Sequence, residues 1–312
     1  MLHKFYFSFT LLLVLFAPST QAFASDIVRV FILAGQSNMV GAGEVESNPS
    51  RNGGKGSLQW LTENSSTKDK YSHLKTDTGA WVQRDDVLIW FLDRKGPLKP
   101  GYGSNEKKIG PELGFGWTVG EAFKEPVVLI KLAWGGKSLA EDFRPPSLEG
   151  NTGPYYIEVI EKTKEILNTA DQLFPELKGR TFELTGFGWH QGWNDRINQS
   201  FNDAYEKNMI QFIKDVRRDL EKPELPFVIA ETGMSGPKEK HPRALSLMAA
   251  QKAVADYPDF NGNVAFVPTR DFYRPAEVSP SKQAYHWNNN AETYYLIGKH
   301  MGEAMLTLLE FE

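Results

Sequence analysis

The chain has no cysteine among its 312 residues. Disulfides, thiol nucleophiles, zinc–thiolate sites and iron–sulfur clusters are therefore excluded, and stability must come from the core alone. Basic runs are lacking too: 35 Lys and Arg stand against 39 Asp and Glu, a net charge of −4. Nucleic acid is not the expected partner, because neutralising phosphates takes clustered cations. After the first two dozen residues there is no apolar run approaching the roughly 20 residues of a membrane span. That first stretch reads Met1-Leu2-His3-Lys4, an apolar run from Phe5 to Phe16, then Ala22-Phe23-Ala24 before Ser25. A basic start, apolar middle and small-residue end make a secretory signal peptide, and the run is too short for an anchor. Residues 1–24 are read as removed on export. Residues 25–312 are then expected to be a soluble single domain, secreted or periplasmic, with no membrane contact.

What is present is an alternation of apolar runs and helix-period segments. Ile27 to Leu33 is apolar almost throughout and suits a strand buried on both faces; Val87 to Phe91, Val127 to Leu132, Phe182 to Trp189, Phe227 to Ala230 and Val264 to Val267 follow. The clearest helix carries Tyr205, Met209, Phe212, Ile213, Val216 and Leu220 on one stripe, with Glu206, Lys207, Lys214, Asp215, Arg217 and Arg218 turned to water. Segments 155–173, 243–256 and 291–309 also read as helices. Such alternation implies right-handed crossovers and an α/β fold, a mainly parallel sheet in a three-layer α/β/α arrangement. The stretch from Glu44 to Arg84, rich in Gly, Ser, Asn and Lys, reads as a long irregular loop at the rim of a site.

In a parallel sheet ligands bind beyond the carboxyl ends of the strands. Three polar clusters fall there, Gly35-Gln36-Ser37-Asn38-Met39, Ala133-Trp134-Gly135-Gly136-Lys137-Ser138 and His190-Gln191-Gly192-Trp193-Asn194-Asp195, and a fourth, Tyr285-His286-Trp287-Asn288, comes near the end. Singly, each has a structural explanation: a serine after glycine caps a helix, Gly-Gly makes a turn, a lone histidine is a satisfied core residue. Together they supply a nucleophile, a base and donors for a developing oxyanion, which is what acyl transfer needs.

In this order the blocks resemble the SGNH hydrolases, named for a Ser, a Gly, an Asn and a His. Ser37 matches the first, Gly135-Gly136 the second, Gly192-Trp193-Asn194-Asp195 the third and His286 the last. Gly-Gln-Ser-Asn-Met, Trp-Gly-Gly-Lys-Ser-Leu, Trp-His-Gln-Gly and His-Trp-Asn-Asn-Asn-Ala-Glu-Thr-Tyr are similar to the sialate O-acetylesterase branch, which includes family 6 carbohydrate esterases. The resemblance implies an SGNH-hydrolase, flavodoxin-like fold and a serine esterase removing O-acetyl groups from a carbohydrate, an acetylated polysaccharide or sialic acid, through an acetyl-enzyme, without metal or cofactor. Ser37 would be the nucleophile and His286 the base. The amides of Ser37 and of Gly135 or Gly136, with the side chain of Asn194, would form the oxyanion hole, and Gln36 and Asn38 would brace the nucleophile loop. Gln36, Trp193 and Trp287 are candidates for contact with the sugar; Trp134 and Trp189 read as core, and Lys137, Asp142 and Arg144 either bind hydroxyls or pair on the surface. One element departs from the wider family, which places an Asp three residues before the histidine, where this chain has Gln283. Asp195 is the first candidate to orient His286. Glu231, Asp271 and a Ser–His dyad held by a backbone carbonyl are the alternatives. An idle carbohydrate-binding protein and a lipase-like esterase of the same fold are the competing readings.

Overall fold

A computed structural model describes residues 26–311; the signal-peptide reading lies outside the described residues. The β-branched and aromatic runs form the strands the pattern predicts: β1 Ile27–Gly35, β2 Arg84–Phe91, β3 Arg94–Leu98, β4 Val127–Ala133, β5 Thr181–His190, β6 Phe227–Ala230 and β7 Val264–Val267. They make one sheet in the order β3-β2-β4-β1-β5-β6-β7, parallel except for β3, which returns antiparallel from β2 as a hairpin. Without that edge hairpin the order is the flavodoxin-like one. Its reversal point, where ligands collect in such sheets, falls between β1 and β5. These two strands pair from Ile27 with Thr181 to Gly35 with His190, so their ends emerge side by side.

Both faces are covered. On one lie α2 Pro111–Ala122 and α7 Ala291–Leu308, packed with Phe31, Leu33, Leu129 and Val228; on the other lie α3 Pro154–Asn168, α5 Gln199–Asp219 and α6 Pro242–Ala255, packed with Val30, Ile32, Ile130 and Phe187. Among the described residues no helix is long and apolar enough to cross a membrane. The α2 segment, Pro-Glu-Leu-Gly-Phe-Gly, is not among the helices the sequence pattern predicts, and its glycines serve packing. Where α2 crosses α7, a Cβ on Gly114 would lie 2.0 Å from the Tyr295 carbonyl oxygen and one on Gly298 only 1.8 Å from that of Pro111.

Three expectations are corrected. Asp215 and Arg217 of α5 are buried rather than turned to water: Asp215 accepts from the Ser147 amide and hydroxyl, and Arg217 donates to the carbonyls of Leu225 and Asn263. The stretch 44–84 is not an irregular loop. It holds short helices at Leu58–Glu63 and Lys68–Tyr71 and buries Leu58, Leu61, Tyr71 and Leu74 in the core on the α2–α7 face. Nor does it merely decorate a rim, because Asn52 donates to the carbonyls of Ala276 and Ser279 and the Gly56 carbonyl accepts from Ala291, which fastens the segment leading into His286 from behind.

Candidate active site

At the end of β1 the chain runs so close to β5 that a Cβ on Gly35 would lie 2.2 Å from the His190 carbonyl oxygen, at φ 153°. Only glycine fits there. The Gln36 amide donates to that same carbonyl at 3.2 Å, and the chain turns at once into a one-turn helix, α1 Ser37–Val40. Ser37 opens this helix and is partly exposed. A first-turn amide has no intrahelical acceptor, and that of Ser37 donates to no described residue.

Gln36 joins the blocks. Its side-chain carbonyl accepts from the amides of Gly192 (3.0 Å) and Asn194 (3.3 Å), and its Nε2 donates to Asn194 Oδ1 at 3.2 Å. Asn194, on the short helix α4 Trp193–Ile197, passes the connection on by donating to the Gly136 carbonyl at 2.9 Å. The amides of Gly135 and Gly136 donate to no described residue, and a Cβ added at either would meet nothing within 4 Å. Thus Ser37, Gly135, Gly136 and Asn194 are brought together, with free donors beside the serine. Gln36 itself is buried, its side-chain oxygen accepting twice and its nitrogen engaged on Asn194, so it braces these loops and is not a sugar-contacting residue.

His286 is displayed quite differently. It lies in a 3₁₀ segment, residues 284–289, that ends with three consecutive non-glycine residues in left-handed backbone, Trp287 (φ 51°), Asn288 (φ 53°) and Asn289 (φ 57°). Asparagine tolerates that region; a bulky residue such as tryptophan does so only when its surroundings impose it, at a cost of about 1–3 kcal/mol. Here burial imposes it. Trp287 is completely enclosed in the core, and Asn288 donates to the Arg274 carbonyl at 3.0 Å. Trp287 is therefore an anchor and not a substrate wall, contrary to the expectation from its position next to His286.

The two halves are tied through Asn38, the residue after Ser37. Its Nδ2 donates to the Tyr285 carbonyl at 3.0 Å, and its Oδ1 accepts from the buried hydroxyl of Tyr294 at 2.7 Å, which lies 3.3 Å from the His286 carbonyl. Tyr294 escaped the sequence reading, although it closes the His-Trp-Asn-Asn-Asn-Ala-Glu-Thr-Tyr block. Neither the Ser37 hydroxyl nor the His286 ring makes a hydrogen bond to a described residue. Burial lowers the His286 pKa below 6.5 with no charged neighbour opposing it, so the ring is neutral at pH 7 and free to accept a proton.

No carboxylate reaches that ring among the described residues. Asp195 instead receives the amides of Leu139 (2.9 Å) and Ala140 (3.0 Å) and the Gln191 Nε2 (2.6 Å), so the expected orienter of His286 is a clamp on the chain that follows the Gly135-Gly136 turn. Its burial pushes the carboxyl up to about 6 against the pull of those three donors. Glu231 is taken by the Thr269 amide and the Arg270 guanidinium, and Asp271 is exposed. His190 is wholly buried, held to the Ala230 carbonyl at 3.3 Å and lowered to about 4 by that burial, and is structural. Asp142 and Arg144 likewise serve their own loop, Asp142 accepting from Ser138 and Arg144 donating to the Ala140 carbonyl.

The aromatic surface beside the site comes from half-buried Trp193 and exposed Tyr285, whose rings lie 5.9 Å apart; Tyr285 is 4.6 Å from the His286 ring, and the Arg196 guanidinium covers Trp193 at 4.8 Å. Trp189 is core, and Trp134 packs on Phe143 and Tyr155. Among the described residues no group of three or more His, Asp and Glu side chains is placed to hold a metal ion.

The sequence model of a family described as "Carbohydrate esterase, sialic acid-specific acetylesterase" matches residues 27–307. A "Probable carbohydrate esterase" of Arabidopsis thaliana is 24% identical over 204 residues, spanning 64% of this chain and 67% of the relative. The X-ray structure of an Arabidopsis thaliana protein superposes with a TM-score of 0.59 at 18% identity, covering 91% of this chain and 99% of that one, a likeness of fold.

Proposed function

From the premise that this chain belongs to the carbohydrate esterase family of the sialic acid-specific acetylesterase description, we propose that it is a serine esterase cleaving O-acetyl groups from a sugar by a Ser37–His286 dyad. The observation that carries this reading is the hydrogen-bonded chain from Gln36 through Asn194 to Gly136, which sets free donors around a partly exposed serine at the reversal point of the sheet.

In the first step the Ser37 hydroxyl attacks the acetyl carbonyl while His286 takes its proton. The negative oxygen that forms is received by the amides of Ser37 and of Gly135 or Gly136 and by the second N–H of the Asn194 amide, the first being spent on Gly136. Collapse breaks the bond to the sugar oxygen, which leaves with the proton held on His286. Water, deprotonated by the same ring, then hydrolyses the acetyl-serine to acetate. Among the described residues no carboxylate supports the imidazolium; the side chains of Asn38 and Tyr294, donating to the Tyr285 and His286 carbonyls, hold the histidine segment instead. Trp193 and Tyr285, their rings inclined to one another beside His286, offer the sugar aromatic contact. Export of the protein, with residues 1–24 removed, completes the proposal, and its check is an N-terminus at Ser25 in protein recovered outside the cell.

One observation favours a second reading, an idle carbohydrate-binding protein: the Ser37–His286 pair has neither a direct hydrogen bond nor a carboxylate. Hydrolysis of p-nitrophenyl acetate and of longer-chain esters separates these readings. The expected outcome is a short-chain preference and a loss of at least about 10⁴-fold in Ser37→Ala at an unchanged melting temperature. Wild-type protein without activity on any ester would establish the idle reading. Acetate release from acetylated xylan, pectin, alginate and O-acetyl sialic acid would then name the sugar.

A further inference from the structure

β4 carries a lysine in the middle of an apolar run, Val-Val-Leu-Ile-Lys131-Leu-Ala, and the strand is buried along its whole length. The Lys131 ammonium has no contact with solvent, and all three of its hydrogens have acceptors: the Val40 carbonyl at 2.8 Å, the Tyr102 carbonyl at 2.7 Å and Glu112 Oε2 at 2.6 Å. The other oxygen of Glu112 receives the Gly110 amide at 2.8 Å. Gly110 is the surface against which the chain leaves α1, since a Cβ on Gly41 would lie 2.2 Å from its Cα.

A buried ion pair is a poor source of stability, because withdrawing both charges from water offsets most of their attraction. What this pair does that an apolar pair could not is bind a carbonyl. Val40 ends the helix that begins with Ser37, and a helix of four residues cannot stand by itself. Its last carbonyls have no intrahelical donors, and a cation is the favoured cap at that end. We infer that Lys131, held in place by Glu112, is a positioning residue for the nucleophile, capping the Ser37–Val40 turn from below and so fixing where the Ser37 hydroxyl sits. The inference rests on the esterase reading for its catalytic consequence, while the mechanical claim about the turn stands apart from it.

The test is the double variant Lys131→Met/Glu112→Gln in the full chain, which removes the ammonium without stranding a buried carboxylate. Two readouts apply. Amide hydrogen exchange at Met39, Val40 and Gly41 should accelerate at least about tenfold while the β4 amides keep their protection. On p-nitrophenyl acetate kcat should fall about ten- to a hundredfold with KM within a factor of two, since a displacement near 1 Å costs on that order; the acid limb of the pH profile, set by His286, should not move. Unchanged exchange in the turn overturns the inference. If the double variant does not fold, Glu112→Gln alone should show the same selective loosening on a smaller scale, and its absence is equally decisive. A wild-type protein inert towards esters removes the esterase reading only, and exchange still decides about the turn.

Discussion

The proposed nucleophile and its proposed base, Ser37 and His286, are presented by two regions built on opposite principles. Ser37 follows a central strand, and its surroundings are a lattice of ordinary hydrogen bonds, with Gln36 alone engaging two amides and a side chain. His286 stands on a segment with three successive left-handed residues, kept there by the burial of Trp287 and by Asn288, with residues 52–56 fastened behind. The first region can be pre-organised cheaply because the parallel sheet already places β1 and β5 side by side. The second must cross from the far end of the chain to meet it, and no strand delivers it. Strain offset by packing does that work instead. The contrast teaches where each half is vulnerable: the serine side to loss of a polar atom, the histidine side to loss of the packing beneath it.

The largest effect should come from the hydrogen-bonded side. Gln36→Ala releases Gly192 and Asn194 together and should lower kcat about 10²–10³-fold, the scale of losing an oxyanion donor, with the acid limb of the pH profile unshifted; steady-state kinetics that stay within fivefold of wild type would show that Asn194 is held by something else. Asp195→Asn is the next. Because its carboxylate clamps Leu139 and Ala140, the expected cost is about 1–3 kcal/mol of stability, seen in denaturant unfolding, with less than tenfold on kcat. A loss of several orders of magnitude at unchanged stability would restore Asp195 as the partner of His286. The smallest effect concerns the histidine side. A base acts in its neutral form, and burial disfavours the charged one, so kcat/KM should fall on the acid side with a midpoint below 6.5. A midpoint above 7 would require a carboxylate close to the ring.

Much of this was legible in the chain. The apolar runs gave the strands because a strand covered on both faces has no reason to alternate, and the Gly-Gln-Ser-Asn, Gly-Gly, Asn-Asp and His-Trp-Asn blocks were visible because turns at strand ends need particular residues. Helix α2 was hidden, since glycines that permit a close helix crossing look in sequence like glycines that permit a loop. Trp287, expected to line the site, is buried instead: its position next to His286 says nothing of the positive φ that turns its side chain into the core. Lys131 did leave a signal, a charge inside an uninterrupted apolar strand.

The sequence by itself determined the absence of disulfides, the α/β alternation and the choice of Ser37 and His286 as the proposed reactive pair, because each depends on residue type or on a local period. Only the tertiary structure decided that Asp195 clamps a loop, that Trp287 anchors and Tyr285 faces the site, and that Lys131 lies under the nucleophile turn. The physical reason is common to all three: a carboxylate, an indole and an ammonium each take the partners that burial brings within hydrogen-bond or contact distance, and those partners lie between 4 and 56 residues away in the cases of Asp195 and Gln191, Leu139 or Ala140, and 91 in that of Lys131 and Val40.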